Sequence, residues 1–411
     1  MTPEDGAPVA SPLLDGISAL GERPLTEDAV RTHVAPLFSR VLAADRDRVY
    51  LANHSLGRPL DATSDDVAEG LAEWYQQLGD AWDAWAREMS AWRARIAALA
   101  GCSRADCIVP KTSAGQGLRA ILNSYDKVPR VVATRGEFDS VDVILREYGQ
   151  RGRIELSFVE SRDDGMFTAD DLRAAIGRGA DLLVVSQVLF QTGQVLPELS
   201  SIIGAAHAAG ARVLLDVYHS LGVIPVDIAS IDADFAVGGS YKYLRGGPGA
   251  CFLYVHPRHL DVGLRTLDTG WFAKASPFRY ERPHPPRYAE GGDAWLESTP
   301  AVLPFYQSRA GQVFTQAIGV DRLRAYSLEL QRRLVALLIA KGIDAEGGTE
   351  DRGAFVVVRH VDARTWVEAL AARGIVTDAR GPWLRLCPDV LTTRTELERA
   401  ANELAAVRAC G

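Results

Sequence analysis

Two apolar runs in the middle of the chain each lead into a polar residue of a different kind. Residues 212–215 read Arg-Val-Leu-Leu and end at Asp216, and residues 233–239 read Ala-Asp-Phe-Ala-Val-Gly-Gly and lead towards Lys242. Both runs have the length and apolar character of buried strands. In an open α/β sheet, ligands bind at the carboxyl ends of the strands. The sequence therefore predicts that the carboxylate of Asp216 and the amine of Lys242 meet at one sheet edge.

The same alternation continues on both sides of these runs. Apolar strands are predicted near residues 131–133, 181–185 and 251–255, with helices at 117–124 and 199–209 between them. Such alternation is typical of an α/β domain in which a mostly parallel central sheet is sandwiched by helices.

The last part of the chain has a different pattern. Strands are predicted at residues 354–359 and 383–386 around a helix at 363–372, and residues 393–396 read Thr-Arg-Thr-Glu, a capping box that opens a final helix. We expect a smaller α+β domain here. The predicted organisation is an N-terminal segment (1–60), a large α/β domain (61–300) and a small C-terminal domain (301–411).

Two further helical stretches precede the sheet. A helix is predicted from residue 26 to 42, and the three-and-four spacing of apolar residues from 64 to 99 predicts an amphipathic helix broken near Gly79. The tryptophans of this stretch are interpreted as packing residues, in the core or at a dimer interface, with substrate contact as the alternative.

A lysine and a buried carboxylate at one site suit pyridoxal phosphate (PLP). This cofactor needs a lysine to hold its aldehyde as a Schiff base and a carboxylate to keep its ring nitrogen protonated. Taken alone, Asp216 could cap a helix or form a turn, and Lys242 could be a solvated surface residue. Residues 240–243 (Ser-Tyr-Lys-Tyr) precede Gly-Gly-Pro-Gly at 246–249, a sharp and sterically open turn that a surface lysine does not need.

The segment 216–249 resembles the lysine region of the fold-type I, class V PLP enzymes, most closely that of the kynureninases. That family has an Asp-x-x-His motif followed by Ser-Tyr-Lys-Tyr and a Gly-Pro-Gly turn. Similar segments occur in the family's order from about residue 48 to 390. They lie at 50–57, 111–114, 137–140, 192–193, 269–272 and 298–300.

The resemblance implies a role for individual residues. Lys242 would anchor the cofactor and Asp216 would contact its ring nitrogen. Tyr241 would contact the cofactor phosphate and also act as acid or base in carbon–carbon cleavage. The other implied cofactor contacts are Thr112, Ser113, Phe138, Ser140, Ser186, His219, Trp271 and Thr299. Because the loops of Trp271 and Thr299 reach the neighbouring subunit's site in such enzymes, a homodimer with shared active sites is expected.

An amino acid substrate needs its α-carboxylate held, and an arginine can do this with two parallel hydrogen bonds. The resemblance assigns this role to Arg385 and places Asn53 at the substrate. The alternative for Arg385 is a structural role, as a strand arginine in a salt bridge. Arg380 is the next candidate for the contact with the α-carboxylate.

Some positions depart from the kynureninase pattern. Val141 stands where the family usually carries an aspartate, and Ala273-Lys274 follows the Gly-Trp-Phe motif where Gly-His is usual. These positions shape the aryl end of the family's substrate pocket. Hydrolytic Cβ–Cγ cleavage is the first hypothesis, and a class V aminotransferase or β-lyase is the second. A PLP-fold protein without catalysis is the third, and the joint presence of Asp216, Tyr241 and Lys242 argues against it.

Composition limits the possible partners and compartments. A chain of 411 residues with 47% hydrophobic residues can bury a sizeable core, and a formal net charge of -8 argues against nucleic acid binding. No apolar run reaches the roughly 18 residues of a spanning helix, and residues 1–16 lack a signal-peptide pattern. We therefore expect a cytoplasmic enzyme that is not attached to a membrane.

The five cysteines are odd in number and lack metal-type spacing, so reduced thiols are expected and no metal site. Desulfurases of this fold use a loop cysteine as a nucleophile. Cys387 instead follows the strand predicted at 383–386, and a core thiol is the favoured interpretation.

Overall fold

A computed structural model describes residues 11–410 of the chain. Within that range the strands are β1 (Val49–Tyr50), β2 (Ile108–Lys111), β3 (Arg130–Thr134), β4 (Glu155–Val159), β5 (Leu182–Ser186), β6 (Arg212–Asp216), β7 (Phe235–Gly239), β8 (Cys251–Val255), β9 (Val356–Arg359), β10 (Ile375–Val376), β11 (Asp378–Arg380) and β12 (Trp383–Leu386).

The helices of the same range are α1 (Ser11–Ser18), α2 (Glu27–Ala29), α3 (Ser39–Ala44), α4 (Ala62–Gln77), α5 (Ala81–Leu99), α6 (Ala114–Leu122), α7 (Asp139–Gln150), α8 (Ala169–Gly177), α9 (Leu199–Ala208), α10 (Ile228–Ile231), α11 (Pro257–Asp261), α12 (Leu303–Ile318), α13 (Val320–Ile339), α14 (Ala363–Ala371) and α15 (Arg394–Cys410).

A seven-stranded sheet forms the centre of the larger part of the molecule. Its order is β2-β8-β7-β6-β5-β3-β4, and the neighbours from β7 to β4 are all parallel, whereas β8 is antiparallel to both β7 and β2. The predicted α/β fold with a mostly parallel sheet is confirmed. Ser186 pairs with Asp216 in the β5–β6 register, so the two residues lie side by side at the carboxyl edge.

Two strands of this sheet were not predicted. β2 lies at one edge and contains Pro110, which breaks the apolar pattern and is tolerated in an edge strand. β4 lies at the other edge, where most of its residues are only partly buried or exposed. Edge positions bury less apolar surface, so the hydrophobic pattern there is weak.

The molecule has a second large core beside the one around the sheet. The first core runs between Trp92 and Phe305, and the second joins residues 13–60 to residues 310–407. Strand β1 pairs in parallel with β10, and β11-β12-β9 form a three-stranded antiparallel sheet. Residues 13–60 thus share a core with the C-terminal sheet, a relationship that the predicted limits at 60 and 300 do not express. The first ten residues of the predicted N-terminal segment lie outside the described range.

Helix ends follow local chemistry. The predicted capping box is confirmed, because Thr393 Oγ1 accepts the N–H of Glu396 at 3.2 Å while Glu396 Oε2 accepts the N–H of Thr393 at 2.7 Å. The break between α4 and α5 is also confirmed, as a 3-10 turn at Leu78–Asp80.

The prediction of one continuous helix from 26 to 42 is wrong in the interior of that range. Thr26 caps α2 as expected, but a π turn (Val30–Val34) and a 3-10 turn (Ala35–Phe38) separate α2 from α3. Pro36 lies in the 3-10 turn. Proline lacks an N–H and its ring clashes with the carbonyl four residues earlier, so a regular helix cannot pass through it.

Among the described residues, none of the helices combines the length and apolar character needed to cross a bilayer.

Candidate active site

A cavity of about 280 Å³ opens at the carboxyl edge of the central sheet. Asp216 ends β6 and Lys242 follows β7 by three residues, and both side chains line this cavity. Only 7% of Asp216 and 5% of Lys242 is exposed. The structure therefore brings together the carboxylate and the amine that the sequence predicted to meet.

The N-terminal segment packs against the loop that carries Lys242. The N–H of Gly57 donates to the carbonyl of Tyr241 at 2.8 Å. A Cβ atom at Gly57 would lie 2.0 Å from the carbonyl oxygen of Lys242, so only glycine permits this approach. Beyond the lysine, the Gly-Gly-Pro-Gly turn has positive φ angles at Gly247 and Gly249, as its composition predicts.

The Lys242 amine lies among aromatic rings and one imidazole. Its Nζ atom is 2.6 Å from Nε2 of His219 and between 5.6 and 5.7 Å from the ring centroids of Phe138, Tyr218 and Tyr241. Burial lowers the pKa of Lys242 to about 7, although the charge of Asp216 opposes this shift. Burial, with the nearby charge of Lys242, also lowers the pKa of His219 well below its usual value. A neutral, nucleophilic lysine is thus accessible near neutral pH.

Asp216 is a buried carboxyl whose partners in the protein are few. Burial raises its pKa to about 6, against the opposing effects of the Tyr218 N–H, which donates to Oδ1 at 2.8 Å, and the Lys242 charge. A buried carboxylate is stable only with a cationic or hydrogen-bonding partner. A protonated pyridine nitrogen in the cavity would supply such a partner.

The phosphate loop predicted at Thr112 and Ser113 also lines the cavity. Ser113 caps α6 by accepting the N–H of Gln116 at 3.2 Å, so the N-terminus of α6 faces this end of the site. Backbone N–H groups at a helix start favour a phosphate. The predicted Ser140 lines the wall on α7, beside Phe138, which meets Phe190 edge to face at 5.5 Å.

Ser186 lines the cavity as predicted, and its partner is a carboxyl that sequence reasoning missed. Glu137 is 3% exposed, and its Oε2 accepts the Ser186 hydroxyl at 2.6 Å while Oε1 accepts the Ser186 N–H at 3.2 Å and the Thr134 hydroxyl at 2.6 Å. Burial raises the pKa of Glu137 to about 7, and the neighbouring Asp216 adds to this rise. Because the Ser186 proton is donated to Glu137, the serine faces the cavity as a hydrogen-bond acceptor.

Four predicted residues lie outside the cavity lining: Trp271, Thr299, Asn53 and Arg385. Trp271 Nε1 donates to Thr299 Oγ1 at 3.3 Å, and Thr299 lines an adjoining cavity of about 130 Å³ that shares Thr112 and Gly249 with the main one. Asn53 lines a separate cavity of about 30 Å³, where its Oδ1 atom is buried without a hydrogen-bond partner in the described residues. Their contacts with cofactor or substrate stay predictions.

Arg385 lies directly behind the cavity wall, with 2% of its surface exposed. Its Nη1 donates to the carbonyl of Phe190, a lining residue, and its Nε donates to Asp378 Oδ1 at 2.7 Å, with Nη2 on Oδ2. His54 Nε2 lies 2.7 Å from the same Asp378 oxygen. Burial alone would raise the pKa of Asp378, but His54 and Arg385 hold it well below its usual range. The role of Arg385 towards substrate stays a prediction.

Cys387 is a core thiol, as favoured from the sequence. It is fully buried, its Sγ donates to the carbonyl of Ala354 at 3.1 Å, and burial raises its pKa well above the usual value. Cys102, Cys107 and Cys251 are also unpaired thiols, and the side chain of Cys410 lies outside the described residues. In the described part of the chain, no group of His, Cys, Asp and Glu side chains could hold a metal ion.

Several further lining residues were missed. They are Arg119, Ile144, Phe190, Tyr218 and Cys251. Tyr218 is the third residue of the Asp-x-x-His motif that begins at Asp216, and its hydroxyl donates to Cys251 Sγ at 2.7 Å. The signal for Arg119 was its position four residues after Gly115, which puts both on one face of α6.

Two comparisons with curated proteins concern kynureninases. The chain is 33% identical to the kynureninase of Bacillus anthracis over 247 residues, which cover 57% of this chain and 56% of that protein's length. It is 27% identical to the kynureninase of Shouchella clausii over 369 residues, covering 84% of this chain and 85% of the relative.

Among solved structures, the cystine C-S lyase C-DES matches with a TM-score of 0.79 at 19% identity, covering 89% of this chain and 98% of that chain. A variant of that protein carries glycine covalently linked to its PLP cofactor. At this identity the likeness shows the fold alone.

The family model described as aminotransferase class V matches residues 60–408. A buried lysine, a buried carboxyl and a helix N-terminus around one cavity suit the cofactor of that family, which is PLP. The chain belongs to the class V aminotransferase family and is a PLP-dependent enzyme of fold type I.

Proposed function

We propose that this enzyme cleaves the Cβ–Cγ bond of an amino acid with a γ-carbonyl group by hydrolysis, as a kynureninase does. The observation that carries the proposal is the placement of Lys242, Asp216 and Tyr241 around one cavity. The kynureninase relatives, one of which matches over 84% of this chain, support the same reaction.

PLP, when bound, supplies an electron sink that stabilises negative charge at the substrate Cα. Lys242 is suited to move the proton at that carbon, because its buried amine has a pKa of about 7 and can both take up and return a proton at neutral pH. His219, 2.6 Å away and neutral, accepts a hydrogen bond from the amine and orients it.

Asp216 contributes a negative charge at the end of β6. Its pKa of about 6 reflects burial without a full complement of partners, so a cation in the cavity would be strongly favoured there. The carboxylate would keep the ring nitrogen protonated and so maintain the electron sink.

Tyr241 is the candidate acid for the cleavage step. Burial, with the adjacent Asp216 charge, raises the pKa of Tyr241 to about 12, so the phenol stays protonated at neutral pH. Its ring lies 5.5 Å from that of Tyr218. After water has added to the γ-carbonyl, a protonated phenol can donate its proton to Cβ as the Cβ–Cγ bond breaks.

Arg385 is proposed to hold the substrate α-carboxylate in exchange for its contacts with Asp378 and the Phe190 carbonyl. Arg385→Lys should raise the KM for the amino acid about tenfold, since lysine cannot make the planar two-bond contact. Arg380→Lys is the matched control, because Arg380 is on the neighbouring strand and contacts Asp378 only at 3.5 Å. A larger effect at Arg380 would move the assignment to that residue.

A class V aminotransferase or β-lyase is the second candidate. It is favoured by Val141, which is 1% exposed in the core where kynureninases usually carry an aspartate. A desulfurase-type thiol nucleophile has no support at Cys387, which is buried with a raised pKa. Cys251 lines the cavity, but burial raises its pKa to about 11, so its thiol stays protonated.

Product analysis separates these reactions. The holoenzyme is incubated with kynurenine and with other γ-keto amino acids, and products are quantified by mass spectrometry, with Lys242→Ala as the blank. Alanine and a carboxylic acid in equal amounts support the hydrolase. Pyruvate without a keto-acid requirement indicates a β-lyase, and turnover that depends on added keto acid indicates a transaminase; either result contradicts the proposal.

We also propose a cytoplasmic homodimer whose subunits complete each other's sites. Trp271 and Thr299 lie beside the adjoining cavity next to exposed aromatic residues, with Phe278 50% and Tyr280 71% exposed. Unpaired cysteines support a reducing compartment. Sedimentation of the holoenzyme should give twice the chain mass of 44.5 kDa, and a monomer would contradict shared sites.

A further inference from the structure

One cation at the cavity has no partner among the described residues. Arg119 lies on α6 and lines the cavity, and it is an exposed residue. Within residues 11–410 its guanidinium makes no hydrogen bond, ion pair or ring contact. Arg385, which lies behind the cavity wall, is by contrast paired with Asp378. An unpaired arginine at a cavity is available to a ligand.

The position of the guanidinium is set by the helix. Gly115 and Arg119 are four residues apart on α6, and therefore share one face. A Cβ atom at Gly115 would lie 2.8 Å from Ile144 Cδ1, 3.4 Å from Arg119 Nη1 and 3.9 Å from Ser113 Oγ. The guanidinium and the Ser113 hydroxyl therefore both lie close to the Gly115 position at the start of α6, beside the Ile144 side chain.

Of the charged side chains around the cavity, one can balance the charge of an anion bound at the start of α6. Asp216 is negative, the pKa of Lys242 is lowered to about 7, and the pKa of His219 is lowered well below its usual value. Among the described residues that line the cavity, Arg119 is the one side chain with a permanent positive charge. A phosphate dianion bound at the start of α6 needs such a charge, and arginine matches phosphate oxygens in pairs.

We propose that Arg119 binds the phosphate group of PLP, together with Ser113 and the N-terminus of α6. The inference rests on the cofactor and not on the reaction proposed above. Arg119 is a positioning residue: it holds the cofactor by its phosphate and does not touch the reacting carbon atoms.

The test compares PLP with pyridoxal, which lacks the phosphate. Arg119→Gln, Arg119→Lys and wild type are titrated with each compound in the absence of substrate, and the visible band of the bound cofactor gives the Kd. We expect Arg119→Gln to weaken PLP about tenfold or more, as for a lost charged hydrogen bond, and to leave pyridoxal within about twofold. Arg119→Lys should restore part of the PLP affinity.

Arg146→Gln is the matched control, because Arg146 lies on α7, outside the cavity lining, and pairs with Asp142 at 2.7 Å. It should bind both compounds as wild type does. Equal weakening of PLP and pyridoxal by Arg119→Gln would overturn the proposal. Unchanged PLP affinity in Arg119→Gln would also overturn it. No substrate enters the titration, so its result stands whichever reaction the enzyme catalyses.

Discussion

The Nζ atom of Lys242 lies 2.6 Å from Nε2 of His219, and both groups are almost completely buried. Two positive charges at this distance would repel strongly with little water to screen them. The pair is therefore stable with at least one partner neutral, and the lowered pKa of each residue agrees with this. The contact leaves the lysine ready to react at neutral pH.

The first prediction concerns the pH dependence of cofactor capture. The neutral amine attacks the aldehyde, so the rate at which apoprotein captures PLP should rise with pH and level off above a midpoint near 7, where burial places the pKa of Lys242. Stopped-flow absorbance in the visible band measures this rate. A midpoint above about 9, close to that of a solvated lysine, would contradict the buried and desolvated amine.

The second prediction concerns the charge of Asp216. Asp216→Asn keeps the shape of the side chain but removes the charge that would hold the ring nitrogen protonated, so kcat should fall by about 100-fold or more. The Kd for PLP should change much less, because the phosphate end of the cavity is intact. Ser186→Ala, at the neighbouring strand end, is the control and should lower kcat by about tenfold at most. Equal kcat in Asp216→Asn and wild type would remove Asp216 from the mechanism.

The third prediction concerns Glu137 and stability. Its folded-state pKa is raised from 4.5 to about 7, mainly by burial. A raised folded pKa means that the protonated form stabilises the fold below pH 4.5, and that this stabilisation is lost as the pH rises through about 7.

Glu137→Gln cannot ionise and should escape this loss. The free energy of unfolding of the variant relative to wild type should therefore increase between pH 5 and pH 8, by on the order of 2–3 kcal/mol. Urea unfolding at the two pH values measures it. If the difference in the free energy of unfolding between the two proteins does not change between pH 5 and pH 8, the pKa of Glu137 is the same in the folded and unfolded states, which contradicts the prediction.

The fourth prediction concerns the Asp378–Arg385 pair. Arg385 is 2% exposed, so Asp378→Ala leaves a buried charge unpaired and should lower the free energy of unfolding by about 3–5 kcal/mol. Arg385→Met alone should also destabilise the protein, but the double variant should lose less than the sum of the two. Urea unfolding of the four proteins measures the coupling. Additive losses would mean that the two side chains do not interact in solution.

The sequence predicted those parts of the fold that depend on local patterns. The runs ending at Asp216 and before Lys242 were recognised because buried parallel strands are continuously apolar, and their meeting followed from the geometry of parallel sheets. β2 was missed because Pro110 interrupts its apolar pattern. The π turn before Phe38 was missed because the residues around it have a helical pattern, although a proline in the following 3-10 turn interrupts the helix.

The site was predictable where a motif carries its residues, and not where contacts join distant segments. Glu137 acquires its role through Ser186, 49 residues later, and His54 through Asp378, 324 residues later. No local pattern reports such pairs. Arg385 was predicted as a substrate contact from its resemblance to a family arginine. Its pairing with Asp378 was not predicted, because it depends on the register of β11 against β12, where the two residues are directly paired.

The most direct test of the account identifies the lysine that holds the cofactor. The holoenzyme is reduced with borohydride, digested and analysed by mass spectrometry. We expect a pyridoxyl group on Lys242 of the wild-type protein and no pyridoxyl group on any lysine of the Lys242→Ala protein. Lys111 is the internal comparison, since its amine is held by Glu297 at 2.6 Å and by the carbonyl of Trp295. A pyridoxyl group on Lys111, or on any lysine of the Lys242→Ala protein under the same conditions, would contradict the account.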